Sequence, residues 1–273
     1  MQPVFIAENA SQLFAVYYPP KANAISRAII HIPAFAEEMN KSRRMVALQA
    51  QALADQGYAV LVLDLYGTGD SSGDFSQATW QGWLENIQTA IAWLKQQGAV
   101  YIDLWALRTG ALLAVDFACN HSPNSISKLL CWQPVLNGDT FVSQFLRLRV
   151  AAALFNSNAQ QEKTADLKQQ LMAGQALEVA GYLLNPELLK PLMAARADTN
   201  DYVGLEELCL IELVASADQE ASFANQQFFN KLQQQPIQVS LQKAVGDSFW
   251  ASQEITTAPE LIQLTTTITQ QWL

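Results

Sequence analysis

Two hydrophobic periodicities alternate along the first half of the chain. Short apolar runs rich in β-forming residues predict strands at residues 13–18, 28–32, 59–63, 100–106 and 129–134. Segments with helical apolar spacing predict helices at residues 45–56, 80–97 and 110–120. Apolar runs that polar residues do not interrupt are typical of parallel strands, which crossover helices bury on both faces. The pattern therefore predicts a mostly parallel α/β sheet.

The alternation stops after the fifth predicted strand. Residues 137–203 are helix-like throughout, although prolines interrupt them at Pro186 and Pro191. Strand and helix signals then return at residues 208–215, 221–234, 237–241 and 259–272. We therefore expect one α/β core in two parts, residues 1–136 and 206–273, separated by a helical lid at residues 137–205.

Composition narrows the class of protein. Only 15% of the 273 residues are charged, but no run approaches the ~18 apolar residues that a spanning helix needs, so we expect no membrane span. A net charge of −9 without a Lys/Arg cluster argues against nucleic acid as a partner. The first residues carry no export signal, and the three cysteines are widely spaced, which indicates a cytoplasmic protein with reduced thiols. With two histidines and no close cysteine pair, we expect no metal site and no cofactor.

Parallel sheets of this kind place their sites beyond the carboxyl ends of the strands. The segments at those positions are residues 33–40, 64–73, 106–111, 217–219 and 246–250. Among them, 67–71 read Gly-Thr-Gly-Asp-Ser after a strand that ends in Asp64, and 106–110 form a strand–turn–helix junction.

These two segments resemble the α/β-hydrolase superfamily, whose nucleophile elbow corresponds to residues 106–110. More narrowly, the chain resembles the family called exosortase A system-associated hydrolase 2. The segments that carry this resemblance are 33–45 (PAFAEEMNKSRRM), 107–111 (LRTGA), 145–149 (FLRLR) and 178–182 (EVAGY). The resemblance implies a three-layer α/β-hydrolase fold with a helical lid. It also implies a bacterial role near protein sorting and exopolysaccharide biosynthesis.

The triad that the resemblance implies is degenerate here. The nucleophile position of the elbow is Arg108, whose guanidinium stays protonated and cannot attack an acyl carbon. By chain order, Asp218 fits the place of the acid, and Asp247 stands where the base is expected. His121 lies too far along the helix after Arg108 to replace the base, and His31 precedes the elbow instead of coming last. Both histidines are expected to be structural.

Four interpretations of the site remain open. A helix that begins near Thr109 directs its amides toward Arg108, which favours binding of a carboxylate or phosphate. Alternatively, Arg108 fills a defunct triad as a structural ion pair with Asp218 or Asp247, or the protein binds a protein partner. The fourth possibility is an unusual ester or thioester hydrolase that uses activated water or an off-elbow hydroxyl. The candidate hydroxyls are those of Ser71, Thr109 and Ser248.

The ligand pocket is predicted from the same loops. Phe35 and Trp250 are candidates for its walls, and Glu37 with Glu38 for its mouth, beside Arg108 and Thr109. Each has a plainer interpretation: Trp250 can simply fill the core, and the two glutamates can be solvated residues that favour a helix N-terminus. In every case we expect Arg108 to pair with at least one of the two aspartates.

Overall fold

The computed structural model describes residues 1–8, 10–21, 25–154 and 162–273. The strands in these residues are β1 (Gln2–Glu8), β2 (Ser11–Tyr18), β3 (Arg27–Ile32), β4 (Ala59–Leu63), β5 (Tyr101–Leu107), β6 (Lys128–Trp132), β7 (Leu177–Val179), β8 (Tyr182–Leu184), β9 (Glu207–Val214) and β10 (Gln238–Val245). Eight of them form one sheet in the order β1-β2-β4-β3-β5-β6-β9-β10, and β7 pairs with β8 in a separate hairpin.

The sheet is mostly parallel. β1 and β2 form an antiparallel hairpin, β2 pairs antiparallel with β4, and every later pair from β4 to β10 is parallel. The parallel strands are the nearly continuous apolar runs; in β4, for example, all residues except Val62 are buried. Because parallel strands need crossovers to return to the same end of the sheet, helices must cover the faces.

Helices cover both faces and complete three layers. They are α1 (Glu37–Gln56), α2 (Trp80–Gln96), α3 (Gly110–Asp116), α4 (Gly138–Leu154), α5 (Thr164–Met172), α6 (Pro186–Ala194), α7 (Phe223–Leu232) and α8 (Pro259–Gln270). α1 and α8 bury residues such as Leu53 and Leu261 in one core cluster. α2, α3 and α7 bury Ile87, Leu113 and Phe228 in the other. The predicted fold class is confirmed.

Helix α1 begins at Glu37, well before residue 45, where the apolar periodicity begins. Ala36 precedes it with a left-handed φ of 53°, and the acidic first turn favours the positive end of the helix dipole. The helix ends at Gly57, whose φ of 117° is the left-handed conformation that terminates helices. The early start matters because it places Glu38 at the carboxyl edge of the sheet.

The sequence predicts helix throughout the segment between β6 and β9, but the structure differs from this prediction. Besides α4, α5 and α6 it contains the β7–β8 hairpin, whose two-residue turn, Ala180-Gly181, has positive φ at both positions. Strands of three residues are too short for periodicity to distinguish them from helix. Residues 155–161 of the predicted helical segment lie outside the described residues. In the described part of the chain, no helix is long and apolar enough to cross a membrane.

Candidate functional site

The turn after β5 has the strained geometry of a nucleophile elbow, and an arginine occupies it. Arg108 has a φ of 55°, in the left-handed region that residues with a β-carbon seldom adopt. Its amide donates to the carbonyl of Trp132 at 3.0 Å, which fixes the turn against β6. Gly110 is required, because a β-carbon there would lie 2.5 Å from the carbonyl oxygen of Ile32. The predicted strand–turn–helix junction is confirmed.

Three groups from separate parts of the chain enclose the side chain of Arg108. Its Nε and Nη2 donate to the carboxylate of Glu38 at 3.3 and 3.2 Å, and its Nη1 donates to the carbonyl of Gln133 at 3.5 Å. The indole ring of Trp250 lies 5.2 Å from the guanidinium carbon, within the range of a cation–π interaction. Only 19% of the Arg108 side chain remains exposed.

Glu38, and not either predicted aspartate, is the ionic partner of Arg108. Among the described residues, neither Asp218 nor Asp247 forms an ion pair with the guanidinium, and both aspartates are exposed. A hydrogen bond from Ser216 holds the pKa of the Asp218 carboxyl below its usual value. The expected pairing is therefore wrong. The physical reason is that the exposed aspartates keep their hydration, whereas the first turn of α1 carries Glu38 to the elbow.

Burial sets the electrostatics of this pair. Desolvation raises the pKa of the Glu38 carboxyl, and the charge and hydrogen bonds of Arg108 oppose that rise. A carboxylate in this position is therefore held in its charged form mainly by the arginine. Protonation of Glu38 would remove the counter-charge from Arg108 and leave the guanidinium to other anions.

Aromatic side chains fill the space beside the elbow. The ring of Phe35 lies 5.4 Å from that of Phe75, 5.7 Å from that of Phe141 and 5.2 Å from that of Phe145, all edge to face. A cavity bordered by Phe35 and Thr109 measures only about 10 Å³, which is close to the smallest volume that holds one water molecule. Phe35 is thus part of a packed aromatic wall that it shares with α4.

The other predicted pocket residues divide between the site and the surface. Thr109 is 5% exposed and Trp250 7% exposed, and both lie at the elbow. Glu37 points away from Arg108: its side chain is exposed and accepts from the Tyr182 hydroxyl at 3.2 Å and from the Asn40 amide at 3.3 Å. The structure therefore brings Phe35, Glu38, Arg108, Thr109 and Trp250 together, and it leaves Glu37 outside.

Ser71 and His31 occupy structural positions. Ser71 donates to the Asp64 carbonyl at 2.6 Å and accepts from the Phe14 amide, so its hydroxyl is engaged in the loop. Ser248 is exposed. His31 is buried against the Trp105 carbonyl, as expected. In the described ranges, no group of three or more His, Cys, Asp or Glu side chains is placed to hold a metal ion.

Sequence reasoning missed Gln133. This residue follows β6 with a φ of 42°, and its carbonyl accepts from Arg108. Its amide donates to the Ile211 carbonyl at 2.7 Å, and its side-chain oxygen accepts from the Leu213 amide at 2.8 Å. The signal available in the sequence was its position at the carboxyl end of a predicted strand, where parallel sheets place site residues.

The strand order, the helices on both faces and the strained turn after β5 define an α/β-hydrolase-fold protein. Residues 27–199 match the family described as serine aminopeptidase, S33, and the chain belongs to this family. No curated protein sequence matches the chain.

Solved structures with the same fold extend over nearly the whole chain. Est1E from Butyrivibrio proteoclasticus, in its complex with ferulic acid, is 18% identical with a TM-score of 0.64, covering 98% of this chain and 97% of that one. Mouse alpha/beta hydrolase domain-containing protein 10 is 14% identical with a TM-score of 0.63, covering 100% and 98%. The hypothetical protein PA2218 from Pseudomonas aeruginosa is 12% identical with a TM-score of 0.65, covering 100% and 93%. At these identities the likeness establishes the fold.

Proposed function

We propose that this protein is a hydrolase-fold binding protein that does not carry out Ser–His acyl transfer and that holds a carboxylate or phosphate group at Arg108. The observation that carries the proposal is the position of Arg108 itself. The elbow presents this guanidinium where a hydrolase presents its nucleophile, and Glu38 serves as its internal counter-ion.

Among the described residues, neither the elbow nor the loop after β10 presents a nucleophile with a base, and this supports the first half of the proposal. Arginine is protonated at any accessible pH and cannot act as a nucleophile. The loop after β10 presents Trp250 to the elbow instead of a histidine, and Asp247 in the same loop is exposed.

The looseness of the Arg108–Glu38 pair supports the second half. Its nitrogen–oxygen distances of 3.2 and 3.3 Å exceed the ~2.7–2.9 Å of strong charge-assisted bonds. By contrast, Arg27 meets Asp103 at 2.6 and 2.8 Å in the core of the same protein. A loose pair with both side chains partly exposed is one that an external carboxylate can replace, because the competing bond contributes less.

The amide of Thr109, the residue that follows Arg108, is a further candidate donor. In the part of the chain that the structure describes, the amide of Thr109 donates no hydrogen bond. In hydrolases the amide that follows the nucleophile forms part of the oxyanion hole. This amide is therefore a second group that an anion bound at Arg108 can use.

Titration with benzoate tests the proposal. The indole ¹H–¹⁵N resonance of Trp250 reports on the ring that lies over the guanidinium, so we expect it to shift in a saturable way. Arg108→Gln should abolish the shift, whereas Arg44→Gln, which removes the same charge from an exposed position on α1, should leave it unchanged. The same response in both variants would mean that net charge, and not the elbow arginine, attracts the anion.

We also propose that residues 137–205 act as a lid and that the protein works in the bacterial cytoplasm near the exosortase system. Phe141 and Phe145 of α4 pack on Phe35, which supports the lid. The biological context depends on the sequence resemblance alone. A strain that lacks the protein should show altered exopolysaccharide production or altered sorting of proteins with the C-terminal signal. Normal behaviour in both assays would contradict the context without affecting the anion site.

A further inference from the structure

A second cavity lies between α1 and strands β2, β3 and β4. Its volume is about 230 Å³, and its walls are mainly apolar, with Tyr18, Met39, Val46 and Val62 among the lining residues. Its lining includes none of Arg108, Glu38 and Trp250. Nothing in the proposed anion site uses this space.

Among the described residues, His31 supplies the cavity with a polar atom that receives no hydrogen bond from the protein. The side chain is 2% exposed and lines the cavity. Its Nδ1 lies 3.1 Å from the Trp105 carbonyl, and because a carbonyl only accepts, Nδ1 must carry the proton. Nε2 is then a bare acceptor, and in the described ranges no group donates to it. Because Nε2 is not closed off from the cavity that His31 lines, a ligand in the cavity can donate a hydrogen bond to it.

The charge state of His31 limits which ligand groups can bond to Nε2. Burial lowers the pKa of this imidazole to about 3, so the ring is neutral near neutral pH. A partner for Nε2 must therefore donate a hydrogen bond and need not carry a charge. The rim of the cavity is already neutralised, because Arg43 pairs with Asp64 at 3.2 Å. An anion is thus not the ligand that these groups favour.

The size of the cavity sets the size of the ligand. Protein cavities of about 150 Å³ hold benzene, so 230 Å³ accommodates one ring with a short alkyl chain. The apolar walls favour such a molecule through the hydrophobic effect. We propose that this cavity binds a small apolar molecule with a single hydroxyl group, such as an alkylphenol, whose hydroxyl donates to Nε2 of His31.

A matched pair of ligands tests the proposal on the whole, uniformly ¹⁵N-labelled chain. 4-Ethylphenol has the hydroxyl donor, and 4-ethylanisole replaces it with a methyl ether that cannot donate. We expect 4-ethylphenol to shift the ¹⁵N resonance of His31 Nε2 and the indole resonance of Trp105, whose ring lies 4.4 Å away from the imidazole. Its affinity should exceed that of 4-ethylanisole roughly fivefold, the value of one neutral hydrogen bond.

Two variants separate the hydrogen bond from the cavity. His31→Leu should bind both molecules with equal affinity. Ala47→Trp should block binding of both, because Ala47 lines the cavity from an exposed position on α1, where a larger side chain does not threaten folding. Three results would each overturn the proposal: no binding of 4-ethylphenol up to its solubility limit, equal affinity of the wild type for both molecules, or binding that survives Ala47→Trp.

Discussion

Replacing Glu38 with glutamine should release the anion site. The substitution keeps the shape of the side chain but removes the counter-charge that lies 3.2 Å from Arg108. At an effective dielectric constant of about 20, two charges at this distance attract with roughly 5 kcal/mol. Water cancels much of this attraction, because 19% of one side chain and 24% of the other are exposed. Net values for hydrogen bonds to charged groups are about 1.5–3 kcal/mol.

The free energy that the Glu38 counter-charge contributes, about 1.5–3 kcal/mol, determines how much more tightly an external carboxylate binds when that charge is removed. An external carboxylate no longer has to displace Glu38, so Glu38→Gln should bind benzoate roughly 10- to 100-fold more tightly than the wild type. The assay is the shift of the Trp250 indole resonance against benzoate concentration. Glu37→Gln is the matched control, because it removes the same charge one residue away from a side chain bonded to Tyr182 and Asn40. Equal affinities of the two variants would refute the role of Glu38 as counter-ion.

Three further predictions concern Glu38, His31 and Asp103. Because burial raises the pKa of Glu38, lowering the pH protonates this side chain and frees Arg108. Benzenesulfonate, whose charge does not titrate, should therefore bind the wild type more tightly at pH 5 than at pH 7.5. In Glu38→Gln, its affinity should not change with pH. In the unfolded chain, His31 takes up a proton as the pH falls below its ordinary pKa of 6.5, whereas in the folded chain its pKa is about 3. The contribution of neutral His31 to the free energy of unfolding is therefore fully present above pH 6.5 and is lost as the pH falls. Urea unfolding should show that His31 accounts for a loss of about 2 kcal/mol between pH 7 and pH 5, and His31→Gln should lack this part of the pH dependence. Asp103→Asn should cost about 3–5 kcal/mol of unfolding free energy, because Asp103 is fully buried and paired with Arg27; Asp55→Asn, at an exposed pair, should change the urea midpoint little, and equal effects would contradict this ranking.

The parallel core was predictable because its strands are buried on both faces. The run predicted at residues 59–63 has the same limits as β4, and the run at 28–32 differs from β3 by one residue. β1 gave no comparable signal, since most of Gln2–Glu8 is exposed and only Ile6 is buried. Such an edge strand is defined by its pairing with β2, which the local sequence does not report.

The site was predictable only where it is local. Arg108 follows directly from a strand–turn–helix junction that the sequence displays. Its partner Glu38 lies 70 positions away, and the choice between Glu38, Asp218 and Asp247 depends on which loop reaches the elbow. Chain order suggested the aspartates, but the chain carries them into solvent. Local spacing cannot reveal that outcome, because it depends on how the loops fold over the edge of the sheet.

The central claim is that the elbow of this hydrolase fold binds and does not hydrolyse. The most direct test is the turnover of a panel of esters and thioesters by the purified wild type, measured beside Asp218→Asn and Asp247→Asn. The account predicts rates that match buffer alone for all three proteins. Wild-type turnover above buffer that either substitution abolishes would contradict it, because an aspartate at a triad position would then be catalytic.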